Sequence, residues 1–258
     1  MKIIAICNQK GGVAKTTSTV TLAYGLARKG KKVLVFDCDP QGSASICFGL
    51  RDKATQKHTM AEAMDQILLN GMLPDKLSYV RHHSEGVDFV PANKALVLAQ
   101  NRLEEKEQVY TMKALADYYA QTYDYLLLDC PPSLDFLTIN ALCAADSCIV
   151  PLSPDVLDVD GMEELVATIQ TAQTFNKRLQ IEGILLTKVS TRTQFKKEFL
   201  AEIKDGYGHV VKVYDHVIPY TDIVSQSIAE GKSIFTTNNR CRAAKAYRAL
   251  VQEVMDNE

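Results

Sequence analysis

The stretch IIAICNQKGGVAKTT, residues 3–17, joins a short apolar run to a lysine-containing loop and the polar start of a helical pattern. A strand, a glycine-containing loop and a helix in this order present backbone N–H groups and a positive helix end to phosphate. The loop departs from the usual pattern G-x-x-x-x-G-K-[ST], because Gln9 and Ala14 stand where that pattern has glycine. A second lysine, Lys10, lies five residues before Lys15. The stretch therefore predicts either a degenerate site or a phosphate site of another design.

The whole chain has the composition of one globular α/β domain covering residues 1–258. It is 47% hydrophobic and 23% charged, which allows a sizeable core and excludes wholesale disorder. Its net charge is -2, so any binding to nucleic acid must use a local basic patch. The seven cysteines form no C-x-x-C pair, which predicts buried free thiols in a reducing cytosol. No signal peptide or membrane-spanning run is recognisable, so we expect a soluble, cytoplasmic protein.

Short apolar runs alternate with helical patterns along the chain. This alternation predicts βαβ units in an α/β fold, with a doubly wound, mostly parallel sheet covered by helices on both faces. The most polar region, residues 51–86, predicts surface helices and loops. The predicted strands are 3–7, 32–37, 87–92, 123–129, 147–153, 181–187 and 210–219. The predicted helices are 15–29, 108–121, 134–145, 157–175, 193–204 and 240–256.

Three polar segments follow predicted strands: the loop after Cys7, DCDPQGS after Phe36 and DCPPS after Leu128. Ligands of open parallel sheets bind beyond the carboxyl ends of the strands. We therefore expect these three segments to form one site.

The loop itself offers the groups that a phosphate site needs. Gly11 and Gly12 allow the backbone to come close to a ligand. Lys15 would meet the β- and γ-phosphates, and the Thr16 hydroxyl would bind Mg²⁺. The alternative is an ordinary helix capped by Thr16 and Thr17.

The aspartates of the two other segments are candidate metal and water ligands. Asp129 ends a buried apolar strand, which is costly unless the carboxylate is paired or lies near a cation such as Mg²⁺. Asp37 and Asp39 stand two residues apart, so in an extended chain both carboxylates lie on one side. One could help to hold the metal while the other orients water. The alternatives are a helix N-cap for Asp129 and a simple turn for Asp-Pro-Gln-Gly.

Together these motifs resemble the ParA/MinD family of deviant Walker-A ATPases, whose loop pattern is K-G-G-x-x-K-[ST]. Residues Lys10 to Thr16 match that pattern, so the loop fits a P-loop NTPase of another design. The resemblance continues through DCDPQGS, LLLDCPPS, VIPYTDIVSQSIAEGKSIF and RAAKAYRAL, and is closest to short, Soj-like ParA proteins of chromosome and plasmid partition. Because the sequence begins at its first strand, we expect no N-terminal DNA-reading extension like that of the larger plasmid forms.

The resemblance implies an ATPase that uses ATP and Mg²⁺ and forms an ATP-dependent homodimer with two ATP molecules between the subunits. Lys10 would cross to the partner's phosphates, Asp39 would orient the attacking water, and turnover without a partner would be slow. Metal contacts are implied for Thr16, Asp37 and Asp129. We expect φ below zero at Ala14, because alanine is strained at positive φ. The implied nucleotide contacts are Lys10, Gly11, Gly12, Val13, Ala14, Lys15, Thr16 and Thr17, with adenine at Thr187, Pro219 and Thr221.

Other branches of the family fit the sequence less well. MinD-like members end in a basic amphipathic helix, whereas this chain ends QEVMDNE. The cysteine spacing does not match that of cluster-binding members. The alternative that stays open is a MinD-like or other ATPase that positions a membrane or non-DNA cargo.

Basic residues near 192–204 predict a DNA-binding face. Arg192, Lys196 and Lys204 lie at multiples of four, so they share one face of a helix, with Lys197 beside them. Arg192 matches an arginine with which Soj-like proteins hold the DNA backbone, whereas a second such arginine is Val224 here. The alternative is a solvated helix face. The resemblance implies non-specific double-stranded DNA and a ParB-like centromere-binding protein as partners. Lys232, Arg240, Arg242 and Lys245 are further candidates for the patch.

Overall fold

The computed structural model describes residues 1–52, 56–154, 159–190, 193–209 and 211–257, without the side chains of 159–162, 193–197 and 202. The strands are β1 (Lys2–Ile6), β2 (Val33–Asp37), β3 (Arg81–His82), β4 (Val87–Val90), β5 (Tyr125–Asp129), β6 (Ser147–Leu152) and β7 (Gln180–Leu186). In the described residues they form one seven-stranded sheet of order β3-β4-β2-β5-β1-β6-β7. All neighbouring strands are parallel except β3, which runs antiparallel to β4. The predicted α/β fold with a mostly parallel sheet is therefore confirmed.

Helices cover both faces of the sheet. On β1, Ile3 and Ala5 pack with one apolar cluster and Ile4 and Ile6 with the other, as the two-residue period of a strand requires. The first cluster contains the helices between residues 60 and 207, and the second contains those between residues 15 and 47 and between residues 222 and 256. The helices are α1 (Lys15–Arg28), α2 (Ser43–Cys47), α3 (Met60–Asn70), α4 (Lys76–Tyr79), α5 (Leu96–Glu105), α6 (Thr111–Tyr119), α7 (Phe136–Ala144), α8 (Val159–Phe175), α9 (Thr193–Tyr207), α10 (Asp222–Ala229), α11 (Ile234–Thr237) and α12 (Arg242–Asp256).

The predicted strand at 210–219 is wrong. In its described part this segment makes two isolated bridges, Ile184 with Val213 and Val189 with Pro219. Its backbone bonds to β7 at Tyr214 and again at Ile218, and the residues between them leave the strand. An apolar pattern suited to a strand is therefore present, but the ladder beside β7 is interrupted.

Two other regions also differ from the sequence prediction. Helix α5 lies at residues 96–105, where no helix was predicted. Helix α3 was expected at the surface, but its inner side, including Met60 and Met64, is fully buried in the first cluster. Residues 51–86 therefore contribute to the core as well as to the surface.

The seven cysteines, all within the described residues, are free thiols, as predicted. Six are buried and Cys241 is half-buried. Burial raises the pKa of the Cys38 thiol and that of the Cys130 thiol well above the ordinary value of a cysteine. Among the described helices, none has the length and apolar character needed to cross a bilayer.

Strand register places the polar strand ends side by side. Asp37 at the end of β2 is the partner of Asp129 at the end of β5, and Asp129 is in turn the partner of Ile6 on β1. The three predicted segments therefore emerge from adjacent strands at the carboxyl edge of the sheet. Their expected meeting at one site follows from this register.

Candidate functional site

The loop between β1 and α1 is held in place from below by Asn8. The buried Asn8 amide donates to the Pro151 carbonyl at 2.8 Å, and its Oδ1 accepts from the Lys10 N–H at 2.9 Å. Gly11 and Gly12 are exposed, and a Cβ added at either would meet no atom within 4 Å. Their backbone therefore faces open space that a ligand can approach closely.

Ala14 lies immediately before α1 with φ 67°, in the left-handed region. The expectation of a negative φ is wrong. The Ala14 carbonyl accepts the first helical bond from the Ser18 N–H at 2.9 Å, so the loop must turn into the helix at this residue. The turn requires a conformation that glycine adopts at least cost, and this chain places a strained alanine there.

The two lysines of the loop contact each other. The Lys15 ammonium donates to the Lys10 carbonyl at 2.9 Å, and the Lys15 residue is only 7% exposed. Burial lowers the pKa of Lys15, although the nearby Asp129 and Asp39 oppose this effect. The ammonium is thus held by the loop itself and points among acidic groups.

Asp129 is fully buried, and both of its carboxylate oxygens accept hydrogen bonds from α1. The Thr16 hydroxyl donates to Oδ2 at 2.8 Å and the Thr19 hydroxyl donates to Oδ1 at 3.0 Å. The first turn of α1 is therefore fixed to the end of β5. The Thr16 oxygen keeps a lone pair, so it can still act as a metal ligand.

Asp37 is also fully buried, and Ser45 of α2 holds one of its oxygens. Oδ2 accepts from the Ser45 N–H at 2.8 Å and from the Ser45 hydroxyl at 2.6 Å. The Ser45 Oγ in turn accepts from the Ala92 N–H at 3.1 Å. Oδ1 has a longer contact, 3.3 Å, with the Asp39 N–H. Asp37 therefore secures α2 with one oxygen and leaves the other less engaged.

Burial raises the pKa of both fully buried carboxylates. Burial, followed by repulsion from Asp37, raises the pKa of Asp129 to about 8. Burial also raises the pKa of Asp37 to about 6, against the opposing effect of the Ser45 hydrogen bonds. A divalent ion near these two acids would favour their charged forms. The donor set of two carboxylates and one hydroxyl consists of the hard oxygen ligands that Mg²⁺ prefers.

A cleft of about 330 Å³ opens over the phosphate loop, and the fully buried Asp37 and Asp129 do not line it. Asp39 reaches it with 8% of its surface exposed, and its Oδ1 accepts from the Gln41 N–H at 2.8 Å. Among the described residues, no group of three or more His, Cys, Asp or Glu side chains could hold a metal ion by itself. The cleft is lined by Gly11, Gly12, Ala14, Lys15, Thr16, Thr17, Asp39, Ser43, Cys47, Pro132 and Lys188.

Thr187, Pro219 and Thr221, which were expected to contact adenine, do not line this cleft. Thr187 is fully buried, and its hydroxyl donates to the Val13 carbonyl at 2.9 Å and to the Leu152 carbonyl at 3.2 Å. Thr187 and Val13 therefore support the phosphate loop from behind. Thr221 caps α10 by accepting from the Ile223 N–H. The adenine contacts stay a prediction, and the Thr187 hydroxyl is already engaged.

Pro219 lines a different depression, which we call the α12 groove. It has a volume of about 540 Å³ and lies between α12 and the segment after β7. Lys204, one of the predicted basic residues, forms an ion pair of 3.5 Å with Asp215 of its wall. The groove is lined by Val189, Ser190, Asp215, His216, Val217, Pro219, Arg242, Lys245, Ala246 and Ala249.

Several other candidates for a basic patch lie outside the described residues or are already paired. Arg192 lies outside the described residues, as do the side chains of Lys196 and Lys197 on α9. Lys232 is paired with Glu230 at 3.1 Å. Val224 packs against the apolar cluster that contains α12, so no charge stands at that position.

Sequence reasoning missed several residues of the site, including Thr19, Ser45 and Lys188. Thr19 follows Thr16 by three positions on α1, so helical spacing could have identified it. Ser45 reaches Asp37 only through the fold of α2, and Lys188 lines the cleft only because β7 ends beside β6. No local sequence signal marks these two residues.

Comparisons with known proteins agree with this geometry. A family model described as AAA domain matches residues 1–181, which is more than half of the chain. The chain is 37% identical to the sporulation initiation inhibitor protein Soj of Bacillus subtilis (strain 168), over 99% of each chain. It is 35% identical to the chromosome partitioning protein ParA of Caulobacter vibrioides (strain NA1000 / CB15N), over 100% of this chain and 95% of that one.

The fold is shared with a solved cobyrinic acid a,c-diamide synthase from Mycobacterium smegmatis with bound ATP analog and magnesium. The two chains superpose with a TM-score of 0.84 and are 28% identical, over 100% of this chain and 95% of the other.

Proposed function

The chain belongs to the ParA/MinD family of deviant Walker-A ATPases, with Soj-like partition proteins among its relatives, and on this premise we propose that it is an ATP-dependent DNA-partition ATPase. The observation that carries the proposal is the convergence of the phosphate loop, Lys15, Asp39 and the Asp37–Asp129 pair at one edge of the sheet. The reaction is the hydrolysis of ATP to ADP and phosphate.

The loop binds the phosphates of ATP. Gly11 and Gly12 offer backbone close to the ligand, and the start of α1 supplies a positive helix end. The Lys15 ammonium leaves the Lys10 carbonyl and contacts the β- and γ-phosphates, because a phosphate oxygen is the stronger acceptor.

Thr16, Asp37 and Asp129 are the residues that would hold magnesium, either directly or through water. When bound, the ion neutralises charge on the terminal phosphates. Thr19 and Ser45 keep the two carboxylates in place for this task. The donor chemistry of these residues fits the ion, and the ATP analog and magnesium named for the Mycobacterium smegmatis protein support it.

Asp39 orients the attacking water, and Lys10 completes the site of a second subunit. Asp39 lines the cleft next to the phosphate loop, within the turn that leads into α2. A lysine supplied in trans neutralises charge on the transferred phosphoryl group and makes dimerisation depend on ATP. Because a carboxylate alone activates water weakly, basal turnover is slow and the dimer persists.

The ATP-bound dimer binds double-stranded DNA without sequence preference, and the α12 groove is the part of the described surface that best suits a phosphate backbone. Arg242 and Lys245 are exposed on its wall. Ser190, two residues before Arg192, lies on the same wall, and Lys204 pairs with Asp215 there. These placements support one patch that includes Lys204 of the predicted basic residues.

By family resemblance, a ParB-like centromere-binding protein stimulates hydrolysis and releases the DNA. The protein would then act in the cytoplasm on the nucleoid. A second function, the positioning of a membrane or non-DNA cargo, is also found in this family and is separated from partition by the experiment below.

The test is filter binding of the purified protein to two unrelated duplexes across a salt series, with Mg-ATP and with Mg-ADP. We expect retention only with ATP, equal for both duplexes, and falling steeply with salt as phosphate contacts release counterions. Sedimentation with anionic and neutral lipid vesicles is run in parallel. Equal retention with ADP, or strong preference for one duplex, contradicts the model. ATP-dependent sedimentation with vesicles and no DNA retention would favour the second function.

A further inference from the structure

We propose that Lys188 is a third lysine of the nucleotide cleft and contacts the phosphates of the nucleotide. The proposal rests on the ATP-binding function proposed above and adds a residue to it. The phosphate-loop pattern includes Lys10 and Lys15 but gives no role to a residue after β7. Lys188 lines the cleft together with Gly11, Gly12 and Lys15.

The position of Lys188 is fixed by its neighbour. Thr187 donates to the Val13 carbonyl at 2.9 Å, and its N–H donates to the Leu152 carbonyl at 2.7 Å. The backbone on the other side is also held, because the Val189 N–H donates to the Ile218 carbonyl at 3.0 Å. Lys188 therefore stands on a rigid segment that is bonded directly to the phosphate loop.

The backbone of Lys188 is strained, with φ 53°. A lysine in the left-handed region is strained, and such outliers concentrate at binding and catalytic sites. The other strained residue of the same cleft is Ala14, with φ 67°, next to Val13. The two left-handed residues thus lie on either side of the Thr187–Val13 hydrogen bond, and both border the space where a ligand would sit.

The surroundings favour phosphate over the base as the partner of Lys188. The cleft that it lines includes most of the phosphate loop and excludes Pro219 and Thr221, which were expected near the base. Among the described ion pairs none involves Lys188, and it is half-buried. A half-buried ammonium beside a polyphosphate gains more than one in open solvent, because screening is weaker there.

The experiment measures the affinity of adenosine, AMP, ADP and ATP, with magnesium, by calorimetry. Lys188→Met removes the charge but keeps a long side chain. We expect it to weaken ATP binding about tenfold, ADP binding less, and adenosine binding not at all, as for loss of one charged hydrogen bond. Lys188→Arg should retain most of the affinity. Lys188→Gly should lose as much as Lys188→Met, although glycine relaxes the backbone.

Lys177→Met is the matched control. Lys177 lies just before the start of β7, whereas Lys188 lies just after its end, so the two lysines are at opposite edges of the sheet. Lys177 is exposed. Nucleotide affinity should not change in this variant, and thermal melting checks that each variant is folded. Unchanged ATP affinity in Lys188→Met, or equal loss for adenosine and ATP, would overturn the proposal. Failure of the unmodified protein to bind Mg-ATP would instead reject the proposed function itself.

Discussion

The nucleotide cleft and the α12 groove both contain charged side chains, but they arrange them in opposite ways. Below the cleft, Asp37 and Asp129 are like charges, fully buried side by side. Around the groove, the described charges are exposed and partly paired, as in Lys204 with Asp215 at 3.5 Å. The buried carboxylate pair is unfavourable until a cation binds or a proton neutralises one of the two groups. The exposed charges of the groove are stable without a ligand.

This difference explains what each region can do. The cleft should discriminate strongly between ligands, because binding removes a cost that is built into the buried acids. The groove should bind any polyanion weakly at each contact and depend on the number of contacts. In the proposed function, ATP controls DNA binding by joining two grooves in one dimer, which raises the number of phosphate contacts through effective concentration.

The largest expected effect is at Asp39. Asp39→Ala should lower ATP hydrolysis by about 100-fold or more, the usual contribution of a group that acts on the attacking water. It should still form the ATP-dependent dimer and retain DNA, because the groove is untouched. Phosphate release and light scattering measure these two properties.

Lys10→Ala supplies the contrast to Asp39→Ala. It should bind ATP but form no ATP-dependent dimer, and Lys177→Ala serves as a neutral control. If Lys10→Ala dimerised normally with ATP, the trans-lysine role would be rejected. If Asp39→Ala hydrolysed ATP at the normal rate, another residue would have to position the water.

A smaller effect concerns the buried acids and pH, in the absence of magnesium. The folded-state pKa of Asp129 is about 8, above its ordinary value of 3.8, so the folded protein binds more protons than the unfolded chain between these values. Its stabilising contribution is complete below about pH 4 and is lost as pH rises through about 8. The melting temperature should therefore fall as pH rises over this window.

Asp129→Asn should flatten that dependence, and magnesium should also reduce it in the unmodified protein. Fluorescence-monitored melting at several pH values gives the slopes. The exposed Asp117, paired with Lys113 on α6, provides the control substitution Asp117→Asn. An unchanged slope in Asp129→Asn would mean that the carboxyl pair is not the source of the pH dependence.

Single substitutions in the DNA-binding patch should lower DNA affinity by modest factors. Lys245→Ala should weaken binding to every duplex alike, by about threefold to tenfold, and flatten the salt dependence by about one unit per lost contact in each subunit. Arg192→Ala should act in the same way and somewhat more strongly, and Lys196→Ala more weakly, because a guanidinium holds phosphate in a fixed geometry. Filter binding across a salt series measures both the DNA affinity and its salt dependence.

ATP affinity and dimerisation should stay normal in these three variants, with Lys177→Ala as the matched surface control. A change that depends on the duplex sequence would contradict backbone recognition. Loss of dimerisation in Lys245→Ala would show that the groove is part of the subunit interface.

The smallest effect is expected at Ala14. Ala14→Gly should relieve the left-handed strain and stabilise the protein by about 0.5–1 kcal/mol, raising the melting temperature by about 2–4 °C or less. ATP affinity should stay within a few-fold. The reverse change at another left-handed residue, Gly71→Ala, should destabilise, since Gly71 has φ 64° and open space around its Cβ position. A large gain of ATP affinity in Ala14→Gly would mean that strain limits binding.

Sequence reasoning was strongest where the chemistry is local. The strand before the loop, the run of residues 10–16 and the aspartates at strand ends each carry their signal within a few positions. The meeting of Asp37 with Asp129 also followed, because parallel strands bring their carboxyl ends together. The same locality explains why the helices at 15–28 and 242–256 lie close to their predicted ranges.

What the sequence did not predict depends on contacts between distant segments. The turn at Ala14 takes its shape from the helix start that follows and from Thr187 behind Val13. The bond from Ser45 to Asp37 requires α2 to fold back over the strand end. The segment 210–219 has strand-like apolar residues, yet in its described part it pairs with the β7 side only through two isolated bridges. Such features have no periodic signature.

The Cys241 thiol offers a site for a fluorescent label. Of the seven cysteines, Cys241 is the one that is not buried, and it lies immediately before Arg242 of the groove. Its sulfur caps α12 by accepting from the Ala244 N–H at 3.3 Å, so its place is well defined. A maleimide dye should therefore attach selectively at the rim of the groove in the unmodified chain. The natural sequence thus carries its own attachment point for a fluorescent reporter, and the arrival of DNA could be followed in real time without an engineered cysteine.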